Sequence, residues 1–121
     1  MEGEIILRML QVQNQVKIYH FQTGSYARHL ASDRLFTSLV NNIDRFSEVS
    51  QHTKRIKLKS GSFLQLYNLN DKQMFDYLSE FATWLENDLP QLLTRKSVDL
   101  LNIRDEILAD TNQALYLFSF K

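Results

Sequence analysis

Cysteine is absent from the 121-residue chain, and with it go disulfide frameworks, thiolate zinc sites and cysteine nucleophiles. Any metal must therefore be held by nitrogen and oxygen. Net charge is absent as well: 14 Lys and Arg balance 14 Asp and Glu, so no overall field draws the chain to nucleic acid or to an acidic membrane. The opening residues MEGE are no basic arm, and nucleic acid is not expected as a partner. There is no run of about 18 apolar residues and no basic stretch followed by an apolar one at the start. The expectation is a soluble, intracellular protein without a membrane span or signal peptide. Phosphate loops, serine triads and nucleotide fingerprints are missing too. What remains is 44% hydrophobic and 12% aromatic residues, enough for one compact core in a single domain over residues 1–121.

Helical spacing runs through almost the whole chain. Ile5, Met9, Val12, Val16 and Tyr19 recur at steps of four and three and predict a first helix over roughly 3–22, ended near Gly24. Ser25 then caps a second helix, whose Leu35, Leu39, Ile43 and Phe46 carry the same rhythm to about Gln51. The rhythm breaks over HTKRIKLKSGSFLQLYNL at 52–69, a connection around Gly61. Asn70 with Gln73 three residues on resembles a capping box, and Met74, Leu78, Phe81 and Leu85 predict a third helix to about Asn87. Pro90 forces a break or opens a short turn through Leu93, after which Ser97 caps a last helix carrying Leu101, Ile107, Leu108, Leu115 and Phe118. The chain reads as all-α with four helices. Short joins at either end make two antiparallel hairpins. The 18-residue middle connection reaches about 60 Å extended, against about 39 Å for the second helix. It is long enough to return along the bundle and start the third helix parallel to the second. A four-helix bundle with such a long crossover between the second and third helices is the ferritin-like arrangement; an up-down bundle with a slack loop has the same lengths.

Residues 17–48, KIYHFQTGSYARHLASDRLFTSLVNNIDRFSE, hold two of the three histidines together with Asp33, Asp44 and Glu48. On the second helix His29, Asp33, Asp44 and Glu48 fall at roughly 0°, 40°, 60° and 100°, one narrow stripe bordered by Phe36 and Val40. Leu35, Leu39, Ile43 and Phe46 lie at roughly 240–320°, so the stripe adjoins the core face and is not opposite it. His20, at the end of the first helix just before Gly24, can approach His29. One helix cannot bring all these groups to one ion: the pairs His29/Asp33 and Asp44/Glu48 are 11 residues apart, about 16 Å of rise, while ligand bonds are about 2 Å. The stripe therefore makes two half-sites. They are completed if a second copy of the helix lies antiparallel across a two-fold axis near Ser38 and Leu39, giving a homodimer or higher homo-oligomer. A shell of imidazole and carboxylate then suits iron(II), manganese or zinc.

At these residues the chain resembles the Dps-type miniferritins, whose ferroxidase ligands follow the order His20, His29, Asp33, Asp44 and Glu48 across two subunits. The intervals from His29 onward match that pattern, and the interval from His20 to His29 is three residues shorter. YHFQTGSYARH and NIRDEILADTNQALYLF are closer still to a family of small ferritin-like proteins of unassigned function found in large DNA viruses and phages. The resemblance implies a shared iron site that oxidises iron(II) with peroxide or oxygen, and a viral protein in the host cytoplasm or virion. Phe21 stands where miniferritins usually carry tryptophan, and MEGE replaces their basic tail, so neither radical quenching nor DNA condensation is implied. A second class keeps the helical fold as a structural or interaction module, virion-associated, with the stripe a polar dimer contact without turnover.

Ordinary readings stand beside these. A histidine and an acid one turn apart are often a solvated pair worth a few tenths of a kcal/mol. KRIKLK at 54–59 reads as a solvated loop or edge, Trp84 with Phe75 and Phe81 as core packing, and Asp105, Glu106 and Asp110 as exposed polar positions.

Overall fold

The structure, a computed structural model, describes residues 2–93 and 97–120. Helices account for all its regular structure: α1 (Glu2–Gln22), α2 (Tyr26–Ser50), α3 (Asp71–Thr83), a π-helical turn (Trp84–Asp88), α4 (Leu89–Leu92) and α5 (Val98–Phe118). α3, the π turn and α4 follow one another without a break, so the described residues form four helical rods. No strand occurs among them. No helix among them is long and apolar enough to cross a membrane.

Local chemistry explains the helix starts. Ser25 Oγ accepts from the Arg28 N–H at 3.2 Å, satisfying one of the donors that an α-helix leaves unpaired at its start. Asn70 and Gln73 form the full reciprocal box: Asn70 Oδ1 accepts from Gln73 N–H at 2.8 Å, and Gln73 Oε1 accepts from Asn70 N–H at 2.9 Å. Gly24 has no left-handed backbone angle, and a Cβ there would meet nothing, so the turn between α1 and α2 does not depend on glycine.

Of the two expectations at Pro90, the break does not occur, and a short helical turn leads on from α3 toward Leu93. The Leu89 N–H bonds back to the Trp84 carbonyl, five residues earlier, and this wider turn carries the helix past Pro90 to Leu92. In that register the next donor, for the Leu85 carbonyl, would be residue 90, and proline has no N–H. Arg104 of α5 fills the gap, its NH1 donating to Leu85 O at 2.8 Å.

All four rods contribute to one core. Ile5, Met9, Val12, Val16 and Tyr19 of α1 meet Leu35, Leu39, Ile43 and Phe46 of α2, as the spacing predicts. Met74, Leu78, Phe81 and Leu85 follow from the third rod, and Trp84 stacks on Phe81 at 5.9 Å. Phe75 departs from the expectation and is exposed. On α5 the expected Ile107 and Phe118 are buried, but the rest of the buried face is Leu100, Ile103, Thr111 and Ala114, while the expected Leu101, Leu108 and Leu115 are only half-buried. Two adjacent apolar rows run along this helix, and Ala114 of the buried one lies opposite Ala31 and Ser38 of α2 across a narrow crevice.

The connection 51–70 lies along α1. The Lys57 carbonyl is packed so close to Gly3 that a Cβ there would stand 2.5 Å from it. Further on, the backbone N–H of Gln65 donates to Gln11 Oε1 at 3.3 Å. The Gln15 side chain exchanges two hydrogen bonds with the backbone of Tyr67, at 2.8 and 2.9 Å, and Gln22 Nε2 donates to Asn68 at 2.7 Å. Gly61, at φ 86°, turns this segment in a region that side chains rarely adopt.

Candidate metal centre

Only Thr23, Gly24 and Ser25 separate α1 from α2, and this short join sets two imidazoles face to face. The rings of His20 and His29 stack with centroids 3.9 Å apart and planes 19° from parallel. Each is tied to the other's backbone: His20 Nδ1 lies 2.9 Å from His29 O, and His29 Nδ1 lies 2.9 Å from His20 O. A carbonyl only accepts, so both Nδ1 atoms carry the hydrogen and donate. In each neutral ring the lone pair is then on Nε2, the form in which histidine ligates metals when a carbonyl orients its other nitrogen. Ser32, fully buried, donates to the same His29 carbonyl at 3.1 Å and fixes it further. Phe21 flanks His20 with centroids 5.5 Å apart, and Tyr26 stacks on the outer side of His29 at 6.2 Å.

His20 is only 8% exposed, yet neither its Nε2 nor that of His29 has a hydrogen-bond partner among the described residues. Among the described residues no fully buried side-chain nitrogen or oxygen lacks a partner, so both Nε2 atoms keep access to solvent. That is what a ligating nitrogen requires.

Asp33, Asp44 and Glu48 are exposed on α2. None takes part in an ion pair among the described residues. Nowhere do three or more histidine or acidic side chains gather within one chain, among the described residues, closely enough to hold an ion. The fold thus brings His20 and His29 together and leaves Asp44 and Glu48 further along the same helix. That separation is the one their spacing in the sequence requires. The donor set fits a hard or borderline divalent ion, with two oriented imidazoles and three unpaired carboxylates.

The expected axis position needs correction. Leu39 is fully buried in the core, and Ser38 faces α5, lining a crevice with Ala31, Arg34, Asp110 and Ala114. The exposed residues at that level are Thr37 and Val40. Asp110 is half-buried there and not an exposed position: burial pushes its carboxyl above the usual range, the Glu106 charge adds to this, and a Ser38 hydrogen bond opposes it. Asn42 Nδ2 donates to it at 3.3 Å. The KRIKLK residues are largely exposed on the connection, with Ile56 half-buried.

One cluster beside the histidines has no signature in the sequence. Arg28 donates to Tyr19 Oη at 3.0 Å, to Asp71 O at 2.9 Å and to Phe118 O at 3.1 Å, and its guanidinium lies 4.7 Å from the centre of the Phe118 ring. Tyr19 donates to Asp71 Oδ1 at 2.6 Å, and burial, then this acceptor, pushes its pKa up. Arg28 thereby locks the first turn of α2, and His29 with it, to α1, α3 and α5. Its partners lie up to 90 residues away in sequence, so no local pattern announces it.

The model of a family of unknown function, DUF5856, matches residues 20–118, and the chain belongs to that family. The matched span contains all five candidate ligands. No curated protein and no solved structure matches the chain.

Proposed function

We propose that this member of the DUF5856 family is a ferritin-like, Dps-type iron-binding protein whose ferroxidase site is shared between two subunits. The observation that carries the reading is the His20–His29 pair, with both Nδ1 atoms engaged by backbone carbonyls and both Nε2 atoms free. Topology supports it too. The connection 51–70 follows α1, and Asp71 opens α3 beside Tyr19 and Arg28, which supports a crossover with α2 and α3 parallel. The substrate is iron(II), with manganese or zinc as ions of similar ligand preference.

In this reading His20, His29 and Asp33 of one subunit face Asp44 and Glu48 of the other. Carboxylates favour iron(III) over iron(II), which lowers the potential of the bound ion and helps it give up an electron. Two iron(II) ions supply two electrons to hydrogen peroxide, which takes up two protons and leaves as two waters. The protein side chains hold charge and geometry and are not themselves oxidised. As a viral protein it would act in the host cytoplasm or virion, as the resemblance implies.

Complementation tests the shared site. Asp33→Ala and Glu48→Ala each remove a ligand from both sites of a homodimer. In a mixed dimer one site loses both acids and the other is whole. Co-refolded mixtures are expected to recover iron binding and iron(II) oxidation to about one working site per mixed dimer. A mixture shown by mass spectrometry to contain mixed dimers, yet without recovery, would favour a non-catalytic helical interaction module.

A further inference from the structure

We infer that the metal ion gates assembly: two copies close over the exposed face of α2 only when a divalent cation sits between them. The inference rests on the shared site proposed above and adds its regulation. It starts from how charge is distributed around α2. Arg28 is drawn into the cluster with Tyr19, Asp71 and Phe118. Arg45 lies 3.9 Å from Glu106 of α5, and Arg34 lines the crevice between α2 and α5. The cations of α2 therefore turn toward neighbouring helices of their own chain. Asp33, Asp44 and Glu48, on the free side, are left without an ion pair among the described residues. Lys17, from α1, sits over the rings of Phe21 and Phe36 at 5.2 and 4.7 Å.

The same face offers a second copy something to bury. Val40, 38% exposed, lies between Asp33 and Asp44, and Leu30, 52%, and Tyr26, 74%, lie beyond Asp33 toward the start of α2. An antiparallel copy centred on Thr37 and Val40 covers these residues, but it also sets Asp33 of each chain against Asp44 and Glu48 of the other. Three carboxylates then meet at each end. The two imidazoles that join them have Nδ1 engaged by carbonyls and present Nε2, whose lone pair in the neutral ring can ligate but adds no positive charge to offset the carboxylates. Like charges brought together with loss of solvent oppose association. A divalent cation reverses the sign of that interaction and completes its own ligand shell in the same step.

Linkage sets the size of the effect. A ligand that binds two sites present only in the dimer multiplies the dimerisation constant by (1 + [M]/Kd) for each site, so metal at about 100 times its Kd strengthens association about 10⁴-fold. By reciprocity, dimerisation raises metal affinity by the same coupling.

Sedimentation with metal analysis tests this on the full chain, first in EDTA and then with manganese(II), which needs no oxidant to report binding. The wild type is expected to be monomeric in EDTA at about 10 µM and dimeric with two ions per dimer in excess manganese(II), a gain of at least about 100-fold in association. Thr37→Arg, an exposed helical position, should abolish the manganese-driven dimer and leave the helical spectrum unchanged. The triple variant Asp33→Asn, Asp44→Asn, Glu48→Gln should dimerise at least about tenfold more tightly than wild type in EDTA, and manganese(II) should add nothing. A wild type equally dimeric with and without metal, while binding two ions per dimer, overturns the gate and leaves the shared site standing. A wild type that binds no metal in either state overturns the shared site, and the gate with it. A manganese-driven dimer indifferent to Thr37→Arg places the gate on another face and overturns the proposal as stated.

Discussion

Arg104 and Pro90 offer a direct energetic test of how the third rod survives its proline. Leu85 is fully buried, and its carbonyl takes its hydrogen bond from Arg104 at 2.8 Å because residue 90 has none to give. Arg104→Met keeps most of the aliphatic packing and removes the donor. The accompanying ion pair with Asp105, at 2.8 Å, involves an exposed carboxylate and is worth under about 1 kcal/mol. An orphaned buried acceptor costs about 1–3 kcal/mol, so the expected loss is about 2 kcal/mol, or about 8 °C in Tm for a chain of this size. Pro90→Ala restores a backbone donor whichever register the helix takes: Ala at 90 serves the Leu85 carbonyl in the π register, and Leu89 serves it in the α register. In that background Arg104→Met should cost less than about 1 kcal/mol, giving a coupling of at least about 1 kcal/mol between the two positions. Urea unfolding followed by circular dichroism on the four proteins measures it. Equal costs in the two backgrounds would mean that the missing proline N–H is not why Leu85 needs the arginine.

Three further outcomes are expected. Arg28→Met should lower stability by about 3 kcal/mol, because it strips a donor from three acceptors at once, and should raise the tyrosine titration seen in ultraviolet absorbance, because the Arg28 charge and hydrogen bond now hold the Tyr19 pKa down. Asp110→Asn should change the pH profile of stability: an aspartate whose folded pKa is raised contributes stability that is full below its unfolded pKa and lost as pH rises through the folded one. Relative to the variant, wild type should therefore weaken on that rise, and pH-resolved urea midpoints read the sign. Gly3→Ala pushes a Cβ against the Lys57 carbonyl and should cost about 1–3 kcal/mol, with faster proteolysis in 51–70.

The first two helices and the capping box were legible because their signals are local. A step of four and three names one face, and Asn70 with Gln73 satisfy each other within a single turn. α5 was partly misphased for an equally physical reason: leucines at 101, 108 and 115 form a row as regular as the buried one, and only packing against α2 decides between them. A short turn through Leu93 is readable at Pro90, but its unbroken continuity with α3 is not, since the residue that makes it tolerable, Arg104, is on another rod. The axis error at Ser38 and Leu39 had a different origin. Those positions are the midpoint of the stripe in sequence number, but at about 100° per residue they point roughly 130° away from its centre, to either side; Thr37 and Val40 share both its level and its face.

The same distinction applies to the candidate site. Periodicity orders Asp33, Asp44 and Glu48 on one face, and the short join at Gly24 lets His20 approach His29, but the ring stack and the two carbonyl bonds are made by the turn and are not legible in the spacing. With only three residues between the helices, each imidazole reaches the other's backbone carbonyl, and both rings are held in place by the fold itself. On the proposed reading their rotamer entropy is lost on folding and would not be lost again on binding. The exposed carboxylates would give up side-chain freedom only on ligating. The proposed site would then have a rigid nitrogen half and an adaptable oxygen half. Its affinity should then be more sensitive to a displacement of the α1–α2 turn, through Arg28 or Ser32, than to Asp→Glu exchange at position 33 or 44, where an extra methylene on an exposed face can be absorbed by a change of rotamer.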